Sequence, residues 1–186
     1  MSDLLIILLF VVSLLITISS LDDAFIDAMA LGIARFRLPR RPADETAIPE
    51  TAVFIANWHE EDVLGRMVEG NLARIHLPQV SLYLGVYPND TGTLRVAEEM
   101  AAKYPDRVRV IVNRLPGPTS KGQMLNEMFA QVFGEEEGPA LVILHDSEDI
   151  IDPRTFEVYA AYAGDHDFIQ VPVFSLAKIA SSTFMC

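Results

Sequence analysis

Four carboxylates, Asp146, Glu148, Asp149 and Asp152, fall within LHDSEDIIDP (residues 144–153), at the end of the apolar run ALVIL. Like charges this close repel, and burying them unpaired would cost several kcal/mol. They need a positive counterpart: a metal ion, a helix end or water. Asp152–Pro153 has the pattern of a helix start, with Asp as N-cap and Pro at the first helical position. The three acids ahead of it exceed what a helix start needs. Hard ions such as Mg²⁺ and Mn²⁺ take a few carboxylate oxygens and let substrate phosphates complete the shell. An acid–x–acid pair just past a buried strand supplies two such ligands. The competing reading is an acidic first turn stabilised by the dipole of the next helix.

Three other segments carry chemistry-bearing side chains: NWHEED (57–62), PNDTGT (88–93) and NRLPGPTSKGQMLN (113–126). Glu60, Glu61 and Asp62 read either as functional acids or as the start of a helix. Asp90 reads as a site residue or as a cap in a turn. Lys121 begins a helical pattern, where the dipole disfavours a cation and a bound phosphate would relieve the penalty. Trp58 could stack on a base or simply pack. Several chemistries are excluded by pattern. There is no GxxxxGK[ST] loop and no GxGxxG behind the first strand. There is no GxSxG elbow. The four histidines show no zinc-binding spacing.

These segments are placed by an alternating pattern. Apolar β-branched runs at 51–57, 80–87, 107–113, 140–146 and 168–174 are separated by helical patterns at 61–75, 91–104, 120–134 and 153–163. Strand–helix–strand units with nearly continuous apolar strands predict a parallel sheet with helices on both faces, an α/β doubly wound domain. Ligands bind such sheets at the carboxyl ends of the strands, where all four segments fall.

The chain of 186 residues has a formal net charge of −12, carried entirely by residues 42–186. That argues against nucleic acid as the main partner. The lone Cys186 leaves no intrachain disulfide. Leu4–Leu21 is apolar apart from Ser13, Thr17, Ser19 and Ser20, and as a helix would rise about 27 Å, near the hydrocarbon thickness of a bilayer. An uncleaved transmembrane helix over 1–21 is expected. The rival readings are a signal peptide, which lacks its positive start here, and a buried core helix. Phe25, Met29, Ile33 and Phe36 recur at helical spacing, so 22–49 reads as an amphipathic juxtamembrane helix followed by a Pro-rich linker. Arg35, Arg37, Arg40 and Arg41 place this side in the cytoplasm, with the short N-terminus outside. Residues 50–186 form the α/β domain.

In this order, the four segments resemble the family-2 glycosyltransferases. FIANWHEED is similar to that family's PxxNEE, YPNDTGT to DDxSxDxT, SKGQMLN to KxxALN, and LHDSED to the DAD metal motif. HDSEDIIDP, with LDDAFIDA after the apolar segment, further resembles the bacteriophage-adsorption protein B type of inner-membrane protein. The resemblance covers about residues 20–175. It implies a GT-A-type fold, a nucleotide-diphospho-sugar donor and a divalent ion, Mg²⁺ or Mn²⁺. Glu60, Asp90 and Lys121 would line the nucleotide side. Asp146 and Glu148 would match the metal motif, with Asp149 as an alternative ligand. The implied activity is transfer, of the hexosyltransferase type, to an acceptor hydroxyl at the inner membrane, with the domain facing the cytoplasm.

Departures from the family pattern shape a second expectation. The family's general base and its Q-x-x-R-W motif lie beyond the fifth strand, and nothing in SLAKIASSTFMC matches them. NDTG also keeps one acid where the family often has two. These departures predict a truncated chain lacking the acceptor half. Losing a general base costs about 10²–10⁴-fold in rate. The alternative function is therefore a non-enzymatic inner-membrane scaffold, or a phage-adsorption or export component with an envelope-protein partner. A phosphotransfer receiver domain is disfavoured because no acid follows the third strand.

Overall fold

The computed structural model describes residues 2–34, 48–134 and 138–173. It divides into two compact units, residues 1–41 and 42–186.

The first unit contains helix α1, Ser2–Ala34, 33 residues long. Within Asp3–Met29 its most apolar 18-residue window has a mean hydropathy of 2.9, and none of that window is buried. By length and composition it can cross a membrane. The helix runs through Leu21 without a break, so residues 22–34 of the second stretch continue the first as one helix, about 50 Å long. Phe25, Ile26 and Met29 are exposed on it. The four-arginine cluster, Phe36 and the linker through residue 47 lie outside the described residues.

The second unit is a four-stranded, wholly parallel sheet in the order β3-β2-β1-β4. Its elements are β1 (Thr51–Ala56), α2 (Leu64–Leu72), β2 (Val80–Val86), α3 (Thr91–Lys103), β3 (Val108–Val112), α4 (Lys121–Phe133), β4 (Leu141–His145) and α5 (Arg154–Tyr162). Alternation along the strands sorts the core into two layers. Val53, Ile55, Leu82, Leu84 and Ile143 pack with Leu64 and Val68 of α2, Val96 and Ala97 of α3, and Phe156 and Tyr159 of α5. Ala52 and Phe54 point to the other face and meet Met124 and Met128 of α4. Helix α4 lies so close to β2 that a Cβ on Gly85 would sit 2.6 Å from the Met128 sulfur and 3.0 Å from that of Met124. Ile48, just ahead of β1, is already buried in the α2-side layer.

The sheet grows from β1 to β2 to β3, then returns across to β4 on the far side of β1. The reversal point lies between the carboxyl ends of β1 and β4, the position where open α/β sheets bind ligands. Four of the five sequence-predicted strands form. The fifth does not: residues 168–173 join no sheet, and Phe174 lies outside the described residues. Pro172 has no N–H for a ladder. Ile169 and Val171 instead pack against the α2-side core while Phe168 and Val173 stay exposed, so the segment acts as a cover.

Candidate functional site

The first part of the site joins the ends of β1 and β2. Asn57 follows β1 and is fully buried; its side-chain amide donates to the Ile55 carbonyl at 2.8 Å and the Gly85 carbonyl at 3.1 Å. His59 turns the chain with φ of 57°, a left-handed conformation uncommon outside glycine and costing on the order of 1 kcal/mol or more. Asp90 holds it there. The His59 N–H donates to Asp90 Oδ2 at 2.7 Å, and the His59 ring lies 3.6 Å from Oδ1. Asp90 also caps α3, with Oδ1 accepting from the Thr93 N–H. Burial pushes the Asp90 carboxyl up, but its hydrogen bonds from His59 and Thr93 and the nearby His59 charge outweigh that, so its pKa falls below the ordinary 3.8. The Glu60 N–H donates to the Thr93 hydroxyl at 2.9 Å, and that hydroxyl lies 3.5 Å from Glu61 Oε2.

The second part spans β2, β3 and α4. Asn89 and Gly117 exchange a reciprocal pair of hydrogen bonds, 2.7 and 2.6 Å, strapping the segment after β3 over the end of β2. Trp58 packs edge-on against Tyr87. Gly117 lies so close to the Trp58 ring that a Cβ there would be 2.4 Å from it. Tyr87 Oη meets the Thr119 hydroxyl, which meets Gln123 Oε1, each at 2.7 Å. Ser120 caps α4 by accepting from the Gln123 N–H. This places Lys121 on the first residue of the helix, and its ammonium pairs with the Asp146 carboxylate beyond β4.

The third part is the loop after β4. Asp149 folds back so that Oδ2 accepts from the Asp146 N–H at 3.0 Å and meets His145 Nδ1 at 2.9 Å. Burial raises the Asp149 pKa, but the Asp146 N–H, the His145 hydrogen bond and the charges of His145 and Lys121 lower it by more. Asn71 of α2 pins the same loop from below. It donates to the Asp149 carbonyl at 3.0 Å and accepts from the Ile151 N–H at 2.9 Å. Asp146 and Glu148 remain exposed. Glu148 lines a cleft of about 290 Å³ between α2 and this loop, which Arg66 and Arg74 also line. Asp152 accepts from the Arg154 N–H at 3.0 Å and pairs with the Arg154 guanidinium. The guanidinium hydrogen bond chiefly lowers its pKa, to about 2. Asp152 therefore serves the start of α5 through the Arg154 N–H, but not as its N-cap: Pro153 takes that position, without a side-chain cap bond, and the helix begins at Arg154 rather than at Pro153.

The sequence-predicted residues are thus distributed unevenly. Lys121 and Asp146 meet directly. Asp149 is turned into its own loop. Asp90 is 3% exposed and caps α3. Glu60 is half-buried and its carbonyl accepts from Val63 and Leu64 at the entry to α2. Glu61, not Glu60, approaches Thr93 and Asp90. Among the described residues, the metal-capable side chains whose ligand atoms converge within 4.8 Å are His59, Glu61 and Asp90. No spacing motif flags that trio, since Asp90 reaches it only through the pairing of β1 with β2. Asp146, Glu148 and Asp149 do not converge in this way, because Asp149 is held by His145 and the Asp146 N–H. Asp146 and Glu148 are still the oxygen donors a hard divalent ion prefers, both solvent-facing, and so suit a partial ligand set completed by a diphosphate.

The open parallel sheet, with helices on both faces and acids and a lysine gathered at its reversal point, defines an α/β domain of the doubly wound class. Residues 49–185 match the family described as glycosyltransferase like family 2, and the chain belongs to it. It is 32% identical over 176 residues to bacteriophage adsorption protein B of Escherichia coli K12, covering 87% of this chain and 23% of that protein. Bacteriophage N4 adsorption protein B of E. coli O157:H7 matches to the same extent. The chain therefore spans about a quarter of the length of these relatives. Among solved structures, it is similar to the mannosyltransferase PcManGT of Pyrobaculum calidifontis, which was determined in complex with GDP-Man and Mn²⁺. The TM-score is 0.53 and the identity 16%, over 74% of this chain and 40% of that one. This last likeness supports the GT-A fold.

Proposed function

We propose that residues 48–173 form the donor-binding half of a nucleotide-sugar glycosyltransferase, anchored to the inner membrane by α1 and facing the cytoplasm. One observation carries the reading: Lys121 and Asp146, 25 residues apart, are brought into contact at the reversal point of the parallel sheet. A nucleoside diphosphate needs a cation and a metal-bearing carboxylate at one spot, and this contact supplies both. Asp146 and Glu148 would hold Mg²⁺ or Mn²⁺, which when bound supplies charge neutralisation of the diphosphate leaving group. Lys121 would donate a charge-assisted hydrogen bond to the diphosphate, aided by the amino-terminal dipole of α4. Asp90 would act indirectly, by fixing the loop 57–62 that carries Glu60 on the nucleotide side. The acceptor would be a hydroxyl compound.

Calorimetry on the full chain in detergent micelles tests this, using UDP and GDP with and without Mn²⁺. Metal-dependent binding by the wild type, lost in Asp146→Ala, is the expected result. A folded wild type that binds neither diphosphate overturns the reading. Recovery of an envelope-protein partner by that non-binding chain would then establish the scaffold function. Protease accessibility in inverted membrane vesicles checks the orientation: the domain should be cleaved there and protected in intact cells.

A further inference from the structure

We infer that Lys121 and Asp146 exchange partners when the donor binds, so that Lys121 holds bare metal off the site until a diphosphate arrives. This rests on the donor-site reading above. Lys121 is the first residue of α4, where the positive end of the helix disfavours a cation. The Asp146 carboxylate offsets that penalty. For Lys121, then, Asp146 occupies the role of the diphosphate; for Asp146, Lys121 occupies the role of the divalent ion.

The surroundings make the exchange feasible. The two side chains are 51% and 58% exposed, and an ion pair that open to water is weak and readily exchanged. The backbone on both sides is fixed. Ser120 caps α4, and Thr119 and Gln123 tie its first turn to Tyr87 and Asn113. Asp149 and Asn71 hold the loop behind Asp146. Only the side chains need move. A metal arriving alone must displace the ammonium and then sit near its charge. A metal arriving with a diphosphate brings the anion to which Lys121 can turn. Metal and nucleotide affinities are thereby coupled through one lysine.

The test measures Mn²⁺ alone, by the loss of free-ion paramagnetic resonance, and then UDP and GDP at saturating Mn²⁺. It uses the full chain in micelles as wild type, Lys121→Met and Lys121→Arg. Removing the charge is expected to tighten Mn²⁺ alone by about three- to tenfold and to weaken the bound diphosphate by about tenfold or more. Lys121→Arg should keep both close to wild type. These opposite signs are the signature, since a lysine needed only for local structure would move both affinities the same way. Unchanged or weaker Mn²⁺ binding in Lys121→Met overturns the exchange while leaving the donor site standing. A wild type that binds neither Mn²⁺ nor a diphosphate overturns both.

Discussion

Two carboxylates at the same sheet edge, Asp90 and Asp146, look interchangeable as letters and differ in every physical respect. Asp90 is almost fully buried, and its two oxygens serve two backbone N–H groups and a histidine ring. Asp146 is exposed, and its side chain meets one long, exposed cation. An acid whose oxygens are filled by backbone donors is part of the frame. An acid facing solvent with one exchangeable partner is available to a ligand. Asp149 falls on the frame side of that division, although the sequence sets it beside Glu148.

The sharpest way to break the comparison is Asp90→Ala. It removes the cap of α3 and leaves the His59 N–H unpaired, and should destabilise the α/β unit by about 2–4 kcal/mol. Denaturant unfolding followed by the fluorescence of Trp58, the single tryptophan, measures it. A loss under about 1 kcal/mol would mean Asp90 is not a frame residue. Asn71→Ala should cost somewhat less, about 1–3 kcal/mol, by freeing the Ile151 N–H and the Asp149 carbonyl. It should also weaken metal-dependent diphosphate binding, although Asn71 lies beneath the loop rather than in it.

Acid titration sharpens the same contrast. Asp90 and Asp149 both have folded-state pKa values below the ordinary 3.8. Their stabilising contribution is therefore complete well above 3.8 and is lost as pH falls through 3.8 toward the lower folded values. Asp90→Asn and Asp149→Asn should each flatten that acid limb, read as the urea midpoint against pH. Smallest in stability is Asp146→Ala, expected within about 0.5 kcal/mol of wild type because an exposed ion pair contributes little. Its unfolding curve should overlay the wild type even as diphosphate binding disappears.

Much of this was legible in the sequence because it depends on local pattern. Four strand–helix units follow from runs such as TAVFIAN and VSLYLGVY, and the segments after the strands mark the candidate site. Lys121 and Asp146 were legible because each stands at the end of an element whose placement follows from the parallel sheet. The direction in which a side chain turns was not. Asp149 is drawn inward by His145 and by a backbone N–H, and no composition or spacing encodes that. The grouping of Glu61 with Asp90, rather than Glu60, depends on the left-handed turn at His59. The run FIQVPVF has the letters of a strand, yet Pro172 and the packing of the partly buried Ile169 and Val171 against the α2-side layer make its described part, residues 168–173, a cover.

The close seat of α4 on Gly85 has a chemical consequence. The sulfurs of Met124 and Met128 lie over a strand position with no side chain, and both residues are fully buried. A sulfoxide is polar and bulkier than the thioether, so oxidation of either sulfur should disturb the seat of the helix that begins at Lys121. Oxidant reaches them only during openings of α4. The rate of sulfoxide formation at Met124 and Met128, read by mass spectrometry, is thus a clock for how often the lysine-bearing helix leaves the sheet.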